Sequence, residues 1–169
     1  MILPVPVQRL GYRTAYAGLR VYWWLFRPTS SGVKCVITHR NDVLLVQHTY
    51  GPRDWELPGG SRKRGEDAEA AATREIREEL GLTVDEWQSL GRVEVIVNRH
   101  LDRVHCFQAE VASAGGGSPE LVLDLGELAA AQWFPKRDLP RPLGSYTRAI
   151  LARTDGPVPF STPPRTESG

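Results

Sequence analysis

The chain has 169 residues, 41% hydrophobic and 24% charged, with 21 Lys and Arg against 20 Asp and Glu. This composition excludes a disordered chain, and a net charge of +1 argues against extended DNA or RNA as a partner. One domain with a full hydrophobic core is expected, and small anionic ligands stay open.

After an extended "ILPVPV", residues from about Leu10 to Phe26 are predicted as an amphipathic helix. Leu10, Tyr12, Tyr16, Leu19, Tyr22, Trp23 and Phe26 recur mostly at helical steps, punctuated by Arg9, Arg13, Arg20 and Arg27. Such a helix can rest on a membrane surface, although a stripe of this kind more often packs on its own domain. The opening has no basic leader ahead of an apolar core, and "VYWWLF" is too short to span a bilayer, so a cytoplasmic location is expected. Cys35 and Cys106, each inside an apolar run, then read as buried free thiols.

"VKCVITH" and "DVLLVQH", split by "RND", predict a hairpin. "YGPRDWELPGG" reads as a loop around one short strand, and residues from about Asp67 to Leu80 as a helix ended by Gly81. Two strands follow in "WQSLGRVEVIVNRH" and "DRVHCFQAEVA", then a flexible loop at "SAGGGSPE", a strand at "AAQWFP" and a helix at "GSYTRAILAR". The Pro-, Ser- and Thr-rich stretch 154–169 is predicted as a loose tail. The expected organisation is an extension over 1–30, one folded domain over 31–153 and the tail. Without regular strand-helix alternation, the fold class is α/β with a mixed β-sheet.

The chemistry concentrates in one helix. Ala68, Ala72, Ile76 and Leu80 form its apolar stripe, and Glu75, Glu78 and Glu79 share the flank beside it. Glu75 and Glu79 are a like-charge i, i+4 pair, which destabilises an isolated helix by a few tenths of a kcal/mol. A solvated helix would sooner interleave opposite signs, so the cluster calls for a cation. Hard oxygen donors suit Mg²⁺, with Mn²⁺ as a substitute. Zinc is disfavoured, because His39, His48, His100, His105 and the two cysteines show no zinc-ligand spacing. A Mg²⁺ site of this kind points to chemistry at a phosphate. Pro58-Gly59-Gly60, just ahead, forms a corner that backbone or ligand can approach closely.

Gly60, Glu66, Arg74, Glu75, Ile76, Glu78, Glu79, Gly81 and Leu82 together fill every fixed position of the pattern G-x(5)-E-x(7)-R-E-U-x-E-E-x-G-U, with U a bulky aliphatic. The stretch thereby resembles the Nudix box; a chance match at one start point is on the order of 10⁻⁹. "WELPGG" and "QWFPKRDLP" extend the resemblance, more loosely, over about 31–153.

The resemblance implies a Nudix-type α/β/α sandwich that hydrolyses a nucleoside diphosphate linked to another moiety. It implies that Glu75, Glu78 and Glu79 hold Mg²⁺, with the Gly60 carbonyl as a further ligand. Arg74 would orient Glu75, itself a candidate base, and Glu66 would be supportive. For a further loop carboxylate acting as base, Glu127 is the candidate, with Glu120 and Asp124 as rivals. Arg53, Lys63 and Arg64 flank the corner as candidate phosphate contacts. The proline of ADP-ribose-directed members, the tyrosine of dinucleoside-polyphosphate members and the coenzyme A and NADH signatures are all missing after the box. A MutT-like nucleotide pyrophosphohydrolase remains, by exclusion. Its rivals are a Nudix-fold module that senses a nucleotide without cleaving it and an acidic docking helix, which would need neither Gly60 nor Arg74.

Overall fold

The first two strands are buried on both faces, with successive side chains alternating between two core clusters, as central strands of a covered sheet do. In β1 (Ser30–His39), Val33, Cys35 and Ile37 enter one core cluster and Val36 the other. In β2 (Asp42–His48), Leu44 and Val46 share the first cluster while Val43 and Leu45 belong to the second. The first cluster is closed by Ala68, Ala72, Ile76 and Leu80 of α1 (Ala68–Leu80), the second by Ile150 and Leu151 of α2 (Ser145–Thr154). A helix therefore covers each face of the sheet.

The protein is represented by a computed structural model that describes residues 5–7, 9–11, 14–15, 30–97, 100–113 and 117–154. With β3 (Gln88–Val97), β4 (His100–Glu110) and β5 (Leu128–Pro135), the strands form one sheet in the order β3-β4-β1-β2-β5. β1 and β4 run parallel; the other neighbours are antiparallel. The sheet is mixed, as expected. Most of the predicted helix over 10–26, the tail beyond Thr154, and 114–116 of the predicted flexible loop lie outside the described residues. Among the described residues no helix is long and apolar enough to cross a membrane. Cys35 and Cys106 are free and buried, on opposite faces of the sheet.

One irregularity positions the site. β1 and β2 pair at their joined ends, Thr38 with Val43 and His39 with Asp42. Beyond that the segment around Trp55–Ser61 enters between them. Val46 and Glu56 exchange backbone hydrogen bonds of 2.9 Å on the β2 side, while Cys35 N–H donates to Pro58 O and Val33 N–H to Gly60 O, both 2.9 Å, on the β1 side. The predicted short strand within this loop reduces to these isolated bridges. From the far face, the Thr147 hydroxyl of α2 accepts Leu57 N–H at 3.0 Å. Gly59 sits at φ +120°, and a Cβ there would lie 2.5 Å from the Val33 carbonyl oxygen, so glycine is required.

The helix ends follow from local chemistry. The Asp67 carboxylate caps the N-terminus by accepting from Glu69 N–H and Ala70 N–H, and Gly81 at φ 67° turns the chain left-handed at the C-terminus. The last carbonyls would otherwise be unpaired. Val122 N–H donates to Leu80 O at 2.9 Å and Asp124 N–H to Glu79 O at 3.0 Å, so the loop ahead of β5 docks on the end of α1.

Candidate active site

α1 distributes its three flank carboxylates differently. Glu78 is exposed and Glu75 half-buried, whereas Glu79 turns into the protein and is 2% exposed. Arg74 organises the outer two. Its Nη1 donates to Glu75 Oε1 at 2.7 Å and to Glu78 Oε2 at 3.1 Å. Its Nε and Nη2 grip both oxygens of Glu66 at 2.7 and 2.9 Å, and Nη2 also reaches Ser61 O at 3.0 Å. One guanidinium thus ties the loop to the helix while taking one oxygen each from Glu75 and Glu78 and leaving the other. The hydrogen bonds from Arg74 and from Lys63 N–H hold the Glu66 carboxyl down at about 2.

The Glu75 carboxylate lies against the Cα of Gly60, where a Cβ would sit 2.7 Å from Oε2. Burial raises the Glu75 carboxyl against the pull of Arg74, with Glu127 and Glu78 adding to the rise. Glu79 accepts Gly59 N–H at 3.0 Å through Oε2, but buried Oε1 has no partner among the described residues. Burial pushes the Glu79 carboxyl up to about 7, against the Lys34 charge and the Gly59 bond and reinforced by Glu127 and Glu75. Lys34 directs its own hydrogen bonds to Glu56 Oε2 and Leu57 O, at 3.1 and 2.9 Å. A buried carboxylate with an unpartnered oxygen beside two more acids suits a bound cation.

Glu127 joins this centre from the opposite wall. Among the described residues, one group of three His, Cys, Asp or Glu side chains brings ligand atoms within 4.8 Å of one another: His48, Glu79 and Glu127. Glu120 is exposed, and Asp124 Oδ1 accepts Gly126 N–H at 2.9 Å, so neither rival occupies this place. Thr49 fixes the segment, its N–H donating to Glu127 O and its hydroxyl to Gly126 O, both at 2.8 Å. With α1 docked on Val122 and Asp124 as well, the segment carrying Glu127 is held by hydrogen bonds at both ends.

The other expected residues fall as follows. The Gly60 carbonyl accepts Val33 N–H and keeps one lone pair. Arg53, Lys63 and Arg64 are exposed and their side chains make no hydrogen bond or ion pair among the described residues. Arg62 and Arg92, passed over in the sequence, instead line a cleft of about 530 Å³ beyond Glu66, with His105 and Phe107. His48 and Tyr50 were also missed. The Tyr50 hydroxyl donates to Glu127 Oε1 at 2.8 Å, and its ring stacks on His48 with centroids 5.0 Å apart. Burial, then the Lys34 charge, lowers His48 to about 4 against the pull of Glu56. The period of β2 did carry a signal: His48 follows Leu44 and Val46 on the face turned to α1.

A mixed sheet between two helices, with one helix presenting carboxylates to a Pro-Gly-Gly corner, defines an α/β/α protein with a centre suited to a divalent cation. The NUDIX domain family model matches residues 28–154, and the chain belongs to the Nudix family. It is 51% identical over 49 residues to an ADP-ribose pyrophosphatase of Mycobacterium tuberculosis, covering 28% of this chain and 24% of that protein. It is 31% identical over 132 residues to the NAD-capped RNA hydrolase NudC of the same species, covering 77% of this chain and 38% of that one. The chain therefore spans well under half the length of these two relatives. A MutT Nudix hydrolase from Burkholderia pseudomallei superposes with a TM-score of 0.67 at 29% identity, covering 75% of this chain and 98% of that structure.

Proposed function

We propose that this chain is a divalent-metal-dependent hydrolase that cleaves the phosphoanhydride of a nucleoside diphosphate linked to another moiety. The observation that carries the reading is Glu79, a carboxylate 2% exposed whose Oε1 lacks a partner among the described residues while Glu75 and Glu127 crowd it with like charge. Glu75, Glu78 and Glu79, with the remaining lone pair of Gly60 O, would hold Mg²⁺ or Mn²⁺. When bound, the cation offsets the charge of a diphosphate and activates a water.

The chain's own groups do the rest. Arg74 holds one oxygen of Glu75 and one of Glu78, so that their free oxygens keep a fixed direction. Glu127, positioned by Tyr50 and Thr49, takes the proton of the attacking water, a role worth about 10²–10⁴-fold in rate. Arg62 and Arg92 offer positive charge in the neighbouring cleft. ADP-ribose and NAD, in the names of the two relatives, share a diphosphate linkage, which supports that substrate class. We retain a MutT-like pyrophosphohydrolase as the reading within it.

The test is a panel of nucleoside triphosphates, nucleotide sugars and dinucleotides incubated with Mg²⁺ or Mn²⁺ and assayed for phosphate, pyrophosphate and nucleoside monophosphate. Turnover of at least one class is expected. No turnover across the panel, with nucleotide binding retained, would make the chain a sensing module instead.

A further inference from the structure

The structure assigns a second mode of cation binding, which shares Glu79 with the all-oxygen site proposed above and adds a nitrogen donor, to His48, Glu79 and Glu127. Three observations converge on it. The ligand atoms of these residues lie within 4.8 Å of one another. Glu79 is 2% exposed, and among the described residues its Oε1 and the buried Nδ1 of His48 have no hydrogen-bond partner. The stack of Tyr50 on His48 and the 2.8 Å bond from its hydroxyl to Glu127 tie two of the three ligands into one unit.

The donor set decides the class of ion. A transition-metal dication takes nitrogen and oxygen donors at about 2.0–2.2 Å, so donors on opposite sides of it are about 4.2 Å apart. Movements of about an ångström close the three side chains onto such an ion. An imidazole with two carboxylates suits Zn²⁺ and, less strongly, Mn²⁺, whereas Mg²⁺ favours oxygen and near-ideal octahedral geometry. Sequence spacing gave no hint of this set, because its members lie on β2, α1 and the loop before β5. Filling the site engages Glu127, so the ion blocks the proton transfer assigned to that carboxylate. Zn²⁺ is therefore an inhibitor of Mg²⁺-dependent turnover. That consequence rests on the proposed function; the binding site itself does not.

The experiment titrates the metal-free full chain with Zn²⁺ and separately with Mg²⁺ by calorimetry, for wild type and His48→Phe. Phenylalanine keeps a ring against Tyr50 and removes the ligand nitrogen. Wild type is expected to bind Zn²⁺ more tightly than Mg²⁺, and His48→Phe to lose at least about tenfold in Zn²⁺ affinity with Mg²⁺ affinity unchanged. In parallel, long-range ¹H–¹⁵N spectra of wild type should show a His48 ring nitrogen shifting on Zn²⁺ addition, a readout that survives if the variant fails to fold. Unshifted His48 nitrogens, or equal Zn²⁺ affinity in both proteins, overturn the site. If Zn²⁺ binds through His48 but no substrate is turned over with Mg²⁺, the proposed function fails and the site stands. If Mg²⁺-dependent turnover occurs and Zn²⁺ ignores His48, the site alone fails.

Discussion

The Tyr50 hydroxyl donates a 2.8 Å hydrogen bond to Glu127 Oε1 across 77 residues of chain, joining the end of β2 to the loop that leads into β5. Burial raises the Tyr50 hydroxyl far above its ordinary value, with Glu127 the next cause, so it stays a donor throughout the working range. Tyr50→Phe keeps the ring on His48 and removes this bond. A hydrogen bond to a charged group contributes about 1.5–3 kcal/mol, so kcat should fall roughly 10- to 100-fold with little change in Mg²⁺ activation. Steady-state kinetics at graded Mg²⁺ check this, and an unchanged kcat would remove Tyr50 from the positioning of Glu127.

Removing the carboxylates themselves separates base from ligand. Glu127→Gln should lower kcat by about 10²–10⁴-fold while the Mg²⁺ activation constant stays near wild type. Glu75→Gln should weaken both, because Glu75 is placed as a ligand. A Glu127→Gln protein with wild-type kcat would return the base to Glu75.

Glu79 makes the metal-free protein sensitive to pH. Its carboxyl rises from 4.5 to about 7, so between those values the folded state holds a proton that the unfolded state has lost. This contribution to stability is complete below about pH 4.5 and lost as pH rises through 7, a cost on the order of 3 kcal/mol above that. Glu79→Gln has no such loss. In EDTA its melting temperature should gain on wild type between pH 5 and pH 8, and Mg²⁺ should stabilise wild type far more than the variant. A difference between the two proteins that is constant across pH would contradict the burial argument.

Arg74→Lys tests whether the guanidinium matters as a fork rather than as a charge. Lysine cannot grip both oxygens of Glu66 while bridging Glu75 and Glu78. Activity should fall roughly 10- to 100-fold, as for other groups that orient metal ligands, with a weaker response to Mg²⁺. Full activity in the lysine variant would mean that charge alone suffices.

Much of this was legible because it is local. The stripe of Ala68, Ala72, Ile76 and Leu80 and the Gly81 turn depend on residues within a turn or two of each other, and helix periodicity with a glycine stop reports them. The paired runs of β1 and β2 were equally plain. What sequence could not show is long-range. The splay of β1 from β2, which admits Trp55–Ser61 and brings Gly60 against Glu75, is a property of two strands and a loop together. His48 lies opposite Leu128 at a break in the β2–β5 register, and only that pairing brings Glu127 to its side. The basic residues next to the corner were chosen by proximity in sequence, whereas Arg62 and Arg92 line a cleft together with the start of α1 and with His105 and Phe107 of β4.

The most direct test is a Mg²⁺ titration of turnover for wild type and Glu78→Gln, on whichever nucleotide the panel identifies. Glu78 is exposed and, among the described residues, bonded only to Arg74, so the substitution leaves the core untouched. The account predicts Mg²⁺-dependent release of a phosphorus-containing product by wild type and a loss of at least about 100-fold at saturating Mg²⁺ in the variant. Near wild-type turnover by Glu78→Gln at saturating Mg²⁺, with its fold intact, would contradict it.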